Sequence, residues 1–165
     1  MTSSLPTLHM LCGKIAAGKS TLAAKLAEAD ATVLISEDKW LGTLFGDQMT
    51  TAADYVRHSA KLRHVMGPHA ASVLNAGASV VLDFPANTVE FRKWMHSIIE
   101  RANAGHVLHV LTPPDQVCLE RLHARNAGGD HPFEATEAQF HQFSQYFELP
   151  TPEEGFNLKF YHESI

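Results

Sequence analysis

The chain has 165 residues, with 13 basic against 18 acidic side chains and a net charge of −5. That is the length of one domain, and 45% hydrophobic against 19% charged residues exclude a disordered chain. The acidic balance disfavours a broad grip on nucleic acid or an anionic membrane, and apolar runs such as Ala78–Leu82 fall far below the ~20 residues of a membrane span.

No basic start precedes the short apolar run Leu8–Cys12, so a secretory signal is not expected. Two cysteines, Cys12 and Cys118, form neither a disulfide framework nor a C-x-x-C site, and a reducing cytoplasm is the default. Eleven histidines include no pair four residues apart, the spacing that brings two ring nitrogens to one ion from one helical face. A histidine metal site is therefore not expected.

In chain order, Leu8–Cys12 is predicted as a strand and Ser20–Glu28 as a helix, followed by a strand at Thr32–Ser36. A long helical pattern covers Ala52–Asn75, with an interruption expected at Gly67-Pro68. Ser79–Phe84 is an apolar third strand, followed by a helix over Thr88–Ala102. His106–Thr112 is a fourth strand ended by Pro113-Pro114, and Asp115–Asn126 a helix. A loop over Asn126–Ala135 contains Gly128, Gly129 and Pro132. Thr136 and Gln139 have capping-box spacing and open a helix with Phe140, Phe143 and Phe147 as its apolar stripe. Phe156–Tyr161 closes the chain as a fifth strand. Apolar strands alternating with helices predict a single α/β domain: a parallel sheet with helices on both faces.

The segment Gly13-Lys14-Ile15-Ala16-Ala17-Gly18-Lys19-Ser20-Thr21 matches G-x-x-x-x-G-K-S/T in full, between a predicted strand and a predicted helix. Gly13 and Gly18 let the backbone turn and approach phosphate closely. The amides of the turn, with the helix N-terminus, form an anion cradle. Lys19 is expected to reach the β- and γ-phosphates and the Ser20 hydroxyl to ligate Mg²⁺. Lys14 is a filler position with at most an electrostatic part.

Among nucleotide proteins, a motor or large ATPase needs a second domain, and a GTPase normally shows N-K-x-D or T-K-x-D, which is not present. A compact kinase fits better. It needs a base for the acceptor hydroxyl, cations for the transferring group and a lid against water. Ser36-Glu37-Asp38 ends the second strand, at the sheet edge where ligands collect. Asp38 is the preferred base, with Glu37 as its competitor and a helix cap as the structural alternative. Asp83 ends the third strand at the same edge and could hold a Mg²⁺ water or the substrate. Asn87, spaced from Glu90 as in a capping box, is expected to cap the following helix. Arg92 on that helix is either a substrate clamp or a solvated surface residue. Arg121 and Arg125, four apart on one helical face, suit phosphate oxygens through their planar forks, with a charged solvent face shared with Glu120 as the alternative.

With these residues assembled, the sequence resembles the small P-loop kinases that include polynucleotide 5′-hydroxyl kinase, chloramphenicol phosphotransferase and zeta-toxin-like proteins. The likeness covers most of the chain and rests on Gly13–Thr21, Ser36–Asp38, Val80–Asp83 and Arg121–Asn126. It implies the P-loop NTPase fold, with a five-stranded sheet in order 2-3-1-4-5. It also implies ATP as nucleotide, Asp38 as base, and Arg121 and Arg125 as lid arginines. Within the one domain, an acceptor region is expected near residues 40–68 and a lid near 121–135. One departure matters: polynucleotide kinases carry an arginine shortly after the base, where this chain has Lys39-Trp40-Leu41. Trp40, Phe45 and Tyr55 point instead to an aromatic acceptor pocket, with simple packing as the alternative. The expectation is a cytoplasmic kinase using ATP and Mg²⁺ on a hydroxyl of a small molecule. Its rivals are a polynucleotide 5′-hydroxyl or sugar-nucleotide (toxin-type) kinase, and a non-enzymatic ATP-dependent binding module.

Overall fold

Leu8, Met10 and Cys12 alternate with His9 and Leu11 along β1 (Thr7–Gly13), so this strand needs cover on both faces. A computed structural model describes residues 4–129 and 134–162 and supplies that cover. The other strands are β2 (Thr32–Ser36), β3 (Ser79–Pro85), β4 (Gly105–Leu111) and β5 (Leu158–Tyr161). They pair in parallel in the order β2-β3-β1-β4-β5, as expected.

On one face Leu8, Met10, Cys12, Leu82 and Phe84 pack against α3 (Ala52–Asn75) and α4 (Val89–Arg101). On the other, Leu11, Val81 and Leu111 pack against α1 (Lys19–Leu26), α5 (Asp115–Gly128) and α6 (Glu137–Ser144). A short α2 (Glu37–Phe45) follows β2 at the carboxyl edge of the sheet. Edge strands are less enclosed than their composition implies: Val33 and Leu34 on β2 and Phe160 on β5 are exposed. No described helix is long and apolar enough to cross a membrane.

Two local expectations change. The helix over Ala52–Asn75 continues through Gly67-Pro68 without a break. Gly67 lies under the Trp94 indole, where a Cβ would come within 3.0 Å of Nε1, and that Nε1 donates to the Arg63 carbonyl at 3.2 Å. Packing thus holds the helix across the turn that proline weakens. Pro68 and His64, whose carbonyl loses its partner, both lie on the exposed side. The three-phenylalanine stripe is also incomplete. α6 opens with the predicted Thr136–Gln139 capping box but ends at Ser144, so only Phe140 is buried; Phe143 is exposed and Phe147 lies beyond the helix. Pro132 of the preceding loop, and part of the expected lid, lie outside the described residues.

Three rings cross the sheet from β1 to β5: His9 Nδ1 lies 2.9 Å from His109 Nε2, and His109 Nδ1 lies 2.9 Å from the Tyr161 hydroxyl. Burial pushes the His109 imidazole down to about 4, and the neighbouring His9 and Lys159 push in the same direction. The folded chain therefore refuses a proton that the unfolded chain takes up below its ordinary value of 6.5. Stability is full above that pH and falls between pH 6.5 and 4, by about 2 kcal/mol once solvent screening is allowed for. Urea unfolding across this window is expected to show that slope, and His109→Phe to flatten it. Equal slopes in both proteins would refute the assignment.

Candidate active site

The loop between β1 and α1 curls back on itself, with Ala16 at φ 60° and Gly18 at φ 103°, and the Ala17 amide donating to the Lys14 carbonyl at 3.1 Å. Gly18 is the position where positive φ favours glycine. At Gly13 the requirement is space: a Cβ would meet the Leu111 carbonyl oxygen at 3.0 Å and the Ala17 Cβ at 3.1 Å. Helices α2, α3, α4 and α6 each begin with a hydroxyl cap, from Ser36, Thr51, Thr88 and Thr136. No side chain caps α1, so its first-turn amides face the hollow of the loop and fit an anion. Ala17 is buried and Ile15 half-buried in the second core cluster, which anchors the cradle, while Thr21 is exposed on α1.

Lys19 arches back over this hollow, its Nζ donating to the Gly13 carbonyl at 2.5 Å and the Lys14 carbonyl at 2.9 Å. Burial lowers its pKa, opposed by the negative charges of Asp83 and Asp38. The Ser20 hydroxyl donates to Asp83 Oδ2 at 3.0 Å, so the two residues expected at the metal stand side by side. A hydroxyl and a carboxylate are the hard oxygen donors that suit Mg²⁺. Lys14 turns away, pairing with Asp115 at 2.9 Å and lying 5.9 Å over the Phe147 ring.

The two acidic residues after β2 separate cleanly. Glu37 is buried, accepting hydrogen bonds from the Tyr55 and Ser59 hydroxyls of α3. Burial raises its pKa, and those hydroxyls pull it back. Asp38 is half-buried and acts electrostatically on both Lys19 and Arg125. Arg121 lies against the phosphate loop, its Nη1 donating to the Ala17 carbonyl at 3.1 Å. Burial lowers the Arg125 pKa, Asp38 raises it, and its Nε is buried without a partner. Lys19, Ser20, Asp83, Asp38, Arg121 and Arg125 are thus gathered around the loop at one sheet edge. The aromatic trio is not one pocket wall: Tyr55 is engaged with Glu37, Phe45 stacks on His58 at 4.4 Å, and Trp40 alone is exposed.

Two expectations for the segment after β3 fail. Asn87 does not cap α4; Thr88 does, accepting from the Phe91 amide. Asn87 instead clamps the first loop glycine, accepting from the Gly13 amide and donating to its carbonyl, both at 2.9 Å. Arg92 is neither a substrate clamp nor a surface residue. It is fully buried, donating to Glu154 at 2.8 and 3.3 Å and to the carbonyls of Ala86 and Glu148 at 2.9 and 2.8 Å. The clamp was readable only from its place: a polar residue beyond the third strand's end, at the same edge as the loop. Asn87→Asp replaces the donor with a carboxylate facing the Gly13 carbonyl. It is expected to weaken nucleotide binding about tenfold and destabilise the fold by about 2 kcal/mol, read by nucleotide titration and thermal unfolding. An unchanged nucleotide affinity would remove Asn87 from the site.

The family described as AAA domain matches residues 8–150. No protein of curated function matches the chain. Solved structures that share its fold include the following three. A protein of Chloroflexus aurantiacus J-10-fl, described provisionally as a kinase, is 22% identical over 98% of this chain and 87% of its own, with a TM-score of 0.74. Kti12 of Chaetomium thermophilum, solved with ADP-AlF3, is 14% identical over 95% and 89%, at 0.68. The APS kinase CysC of Mycobacterium tuberculosis, solved with AMPPNP and APS, is 18% identical over 98% and 91%, at 0.61. At these identities the likeness is one of fold.

Proposed function

The chain belongs to the AAA domain family, and from that premise we propose that it is an ATP- and Mg²⁺-dependent kinase that transfers the γ-phosphoryl group to a hydroxyl of a small molecule. The observation that carries this reading is the meeting of the lysine-bearing loop with the Ser20–Asp83 pair, with Asp38 acting electrostatically on Lys19 and Arg125. The uncapped amides of α1 and Lys19 would bind the nucleotide phosphates, and Ser20 with Asp83 would hold Mg²⁺. When bound, the metal would offset phosphate charge.

Asp38 orients the acceptor hydroxyl and takes its proton as the acceptor oxygen bonds to the γ-phosphorus. The bond from that phosphorus to the β–γ bridging oxygen breaks, and ADP leaves with the electron pair. Lys19, Arg121 and Arg125 stabilise the charge on the transferring group. The net charge of −5 favours a small acceptor over a polynucleotide, and the cytoplasm is where ATP would be supplied. We assign the acceptor to the region of residues 40–68 and the lid to 121–135, within one domain.

The test is incubation with Mg²⁺ and γ-labelled ATP against separate metabolite, RNA and protein fractions of a bacterial extract, with Lys19→Ala as control. Label in a metabolite, absent with the variant, supports the reading; label in RNA or protein overturns the acceptor class. ATP binding with no transfer to any fraction favours the binding module. The two carboxylates give a sharper check. Asp38→Asn is expected to lower turnover by about 10²–10⁴-fold while leaving the melting temperature unchanged. Glu37→Gln is expected to alter stability rather than turnover. The reverse pattern would move the base by one residue.

A further inference from the structure

Lys14 fills a variable position of the phosphate loop and takes no part in the transfer described above, yet several parts of the site meet on it. Its carbonyl accepts from Lys19 Nζ at 2.9 Å and from the Ala17 amide at 3.1 Å. Its own Nζ leaves the loop, donating to Asp115 Oδ1 in the first turn of α5 at 2.9 Å and lying 5.9 Å over the Phe147 ring. Phe147 directly precedes Glu148, whose amide donates to the Asn87 carbonyl.

The start of α5 has need of such a tie. Pro114, its N-cap, offers no side-chain cap. A cavity of about 150 Å³ lies beside its first turn, bounded by Lys14, Ala17, Pro113, Asp115, Cys118 and Phe147. Close packing, which elsewhere fixes one element against another, is interrupted there, and the Lys14–Asp115 pair joins two of the cavity's walls. Farther along the helix, Arg121 Nη1 donates to the Ala17 carbonyl at 3.1 Å. Polar contacts thus hold α5 to the loop at two places six residues apart, about 9 Å along its axis. One contact lets a helix pivot; two set its direction. Arg125, one turn beyond Arg121, takes its place from both. The Lys14 and Asp115 side chains are 29% and 54% exposed, so their pair adds little to overall stability. Its consequence is local: where α5 stands.

We propose that Lys14 is a positioning residue for phosphoryl transfer: by holding Asp115 it sets α5, and with it Arg121 and Arg125, at the distance from the loop that the transferring group requires. The inference rests on the kinase reading. It adds to that reading a loop residue that acts through α5 rather than on the phosphates.

The test measures how tightly the arginines close on a mimic of the transferring group. Full-length protein is titrated by calorimetry with Mg²⁺ and ADP, first alone and then with aluminium fluoride, which stands in for the transferring phosphoryl group. In the native protein aluminium fluoride is expected to tighten ADP binding, as transition-state mimics do. Lys14→Met is expected to lose about two- to fivefold of that gain, the range an exposed pair can supply, with the affinity for ADP alone and the melting temperature unchanged. Asp115→Asn is the sharper variant. It makes the surroundings more positive, so an effect of charge alone would enlarge the gain, whereas loss of the tie reduces it as Lys14→Met does. Lys14→Met combined with Asp115→Asn should be no worse than either single change. Lys25→Met, in the exposed last turn of α1, should leave the gain as it is. An unaltered gain in Lys14→Met overturns the inference, as does an enlarged gain in Asp115→Asn or an equal loss of affinity for ADP alone. If aluminium fluoride tightens nothing in the native protein, the kinase reading falls and this inference with it.

Discussion

Lys19→Met is expected to lower phosphoryl transfer by about 10²–10³-fold, the cost of removing one preorganised charge-stabilising group. The ammonium sits over the hollow of the loop, tethered to the Gly13 and Lys14 carbonyls, so it is in place before any phosphate arrives. Methionine keeps the alkyl stem and removes the charge. Stability should move the other way. Burial holds the Lys19 pKa down, so the folded state carries a desolvation cost that a neutral side chain does not. The melting temperature of Lys19→Met is expected to equal or exceed that of the native chain, a common pattern where stability has yielded to function. Single-turnover transfer from γ-labelled ATP, run beside thermal unfolding, reads both effects. Retained transfer would sink the mechanism; lost transfer with a collapsed melting temperature would show only that the loop had come apart.

The second large effect is the opposite in kind. Arg92→Met should destabilise the protein by about 3–5 kcal/mol, as removal of one partner from a buried ion pair does, lowering the melting temperature by roughly 10 °C. The side chain is fully buried and holds three separate acceptors. Burial alone pushes the Glu154 carboxyl up, but the bonds from Arg92 and the Thr151 amide hold it below the usual carboxylate range. With Arg92 gone, that carboxylate and the Ala86 and Glu148 carbonyls lose their donors. Replacing both partners, Arg92→Met with Glu154→Met, should cost less than the sum of the single changes, because no charge is then left unpaired. A substrate clamp would behave differently, raising KM at an unchanged melting temperature. Denaturant unfolding of the three variants separates the two roles.

The fold was legible because its determinants are local and repeated: alternating apolar strands, helix starts such as Thr136–Gln139, and a loop motif with demanding geometry. The parallel order itself came from the resemblance, not from periodicity. What escaped were decisions made by distant residues. Gly67-Pro68 reads as a break because Trp94, 27 positions later, cannot be seen to pack there. Asn87 carries the spacing of a cap, and only the nearness of Gly13 gives it another task. Arg92 lies on an ordinary-looking helix; its burial depends on a chain reversal that brings Glu148 and Glu154 across the sheet edge. Among the candidate site residues, those tied to the loop were readable from spacing. The division between Glu37 and Asp38 depended on which of two neighbours faced α3.

Asn87 has a further consequence. Its side chain grips Gly13, its carbonyl accepts from the Glu148 amide at 2.8 Å, and Glu148's own carbonyl is held by Arg92. The anion cradle and the crossing segment before β5 are therefore links of one chain of bonds, and the cradle's stiffness is borrowed from a region far from it in sequence. A substitution in residues 148–154 that shifts this backbone is therefore expected to disturb the Gly13 clamp, and one at Asn87 to loosen the segment before β5.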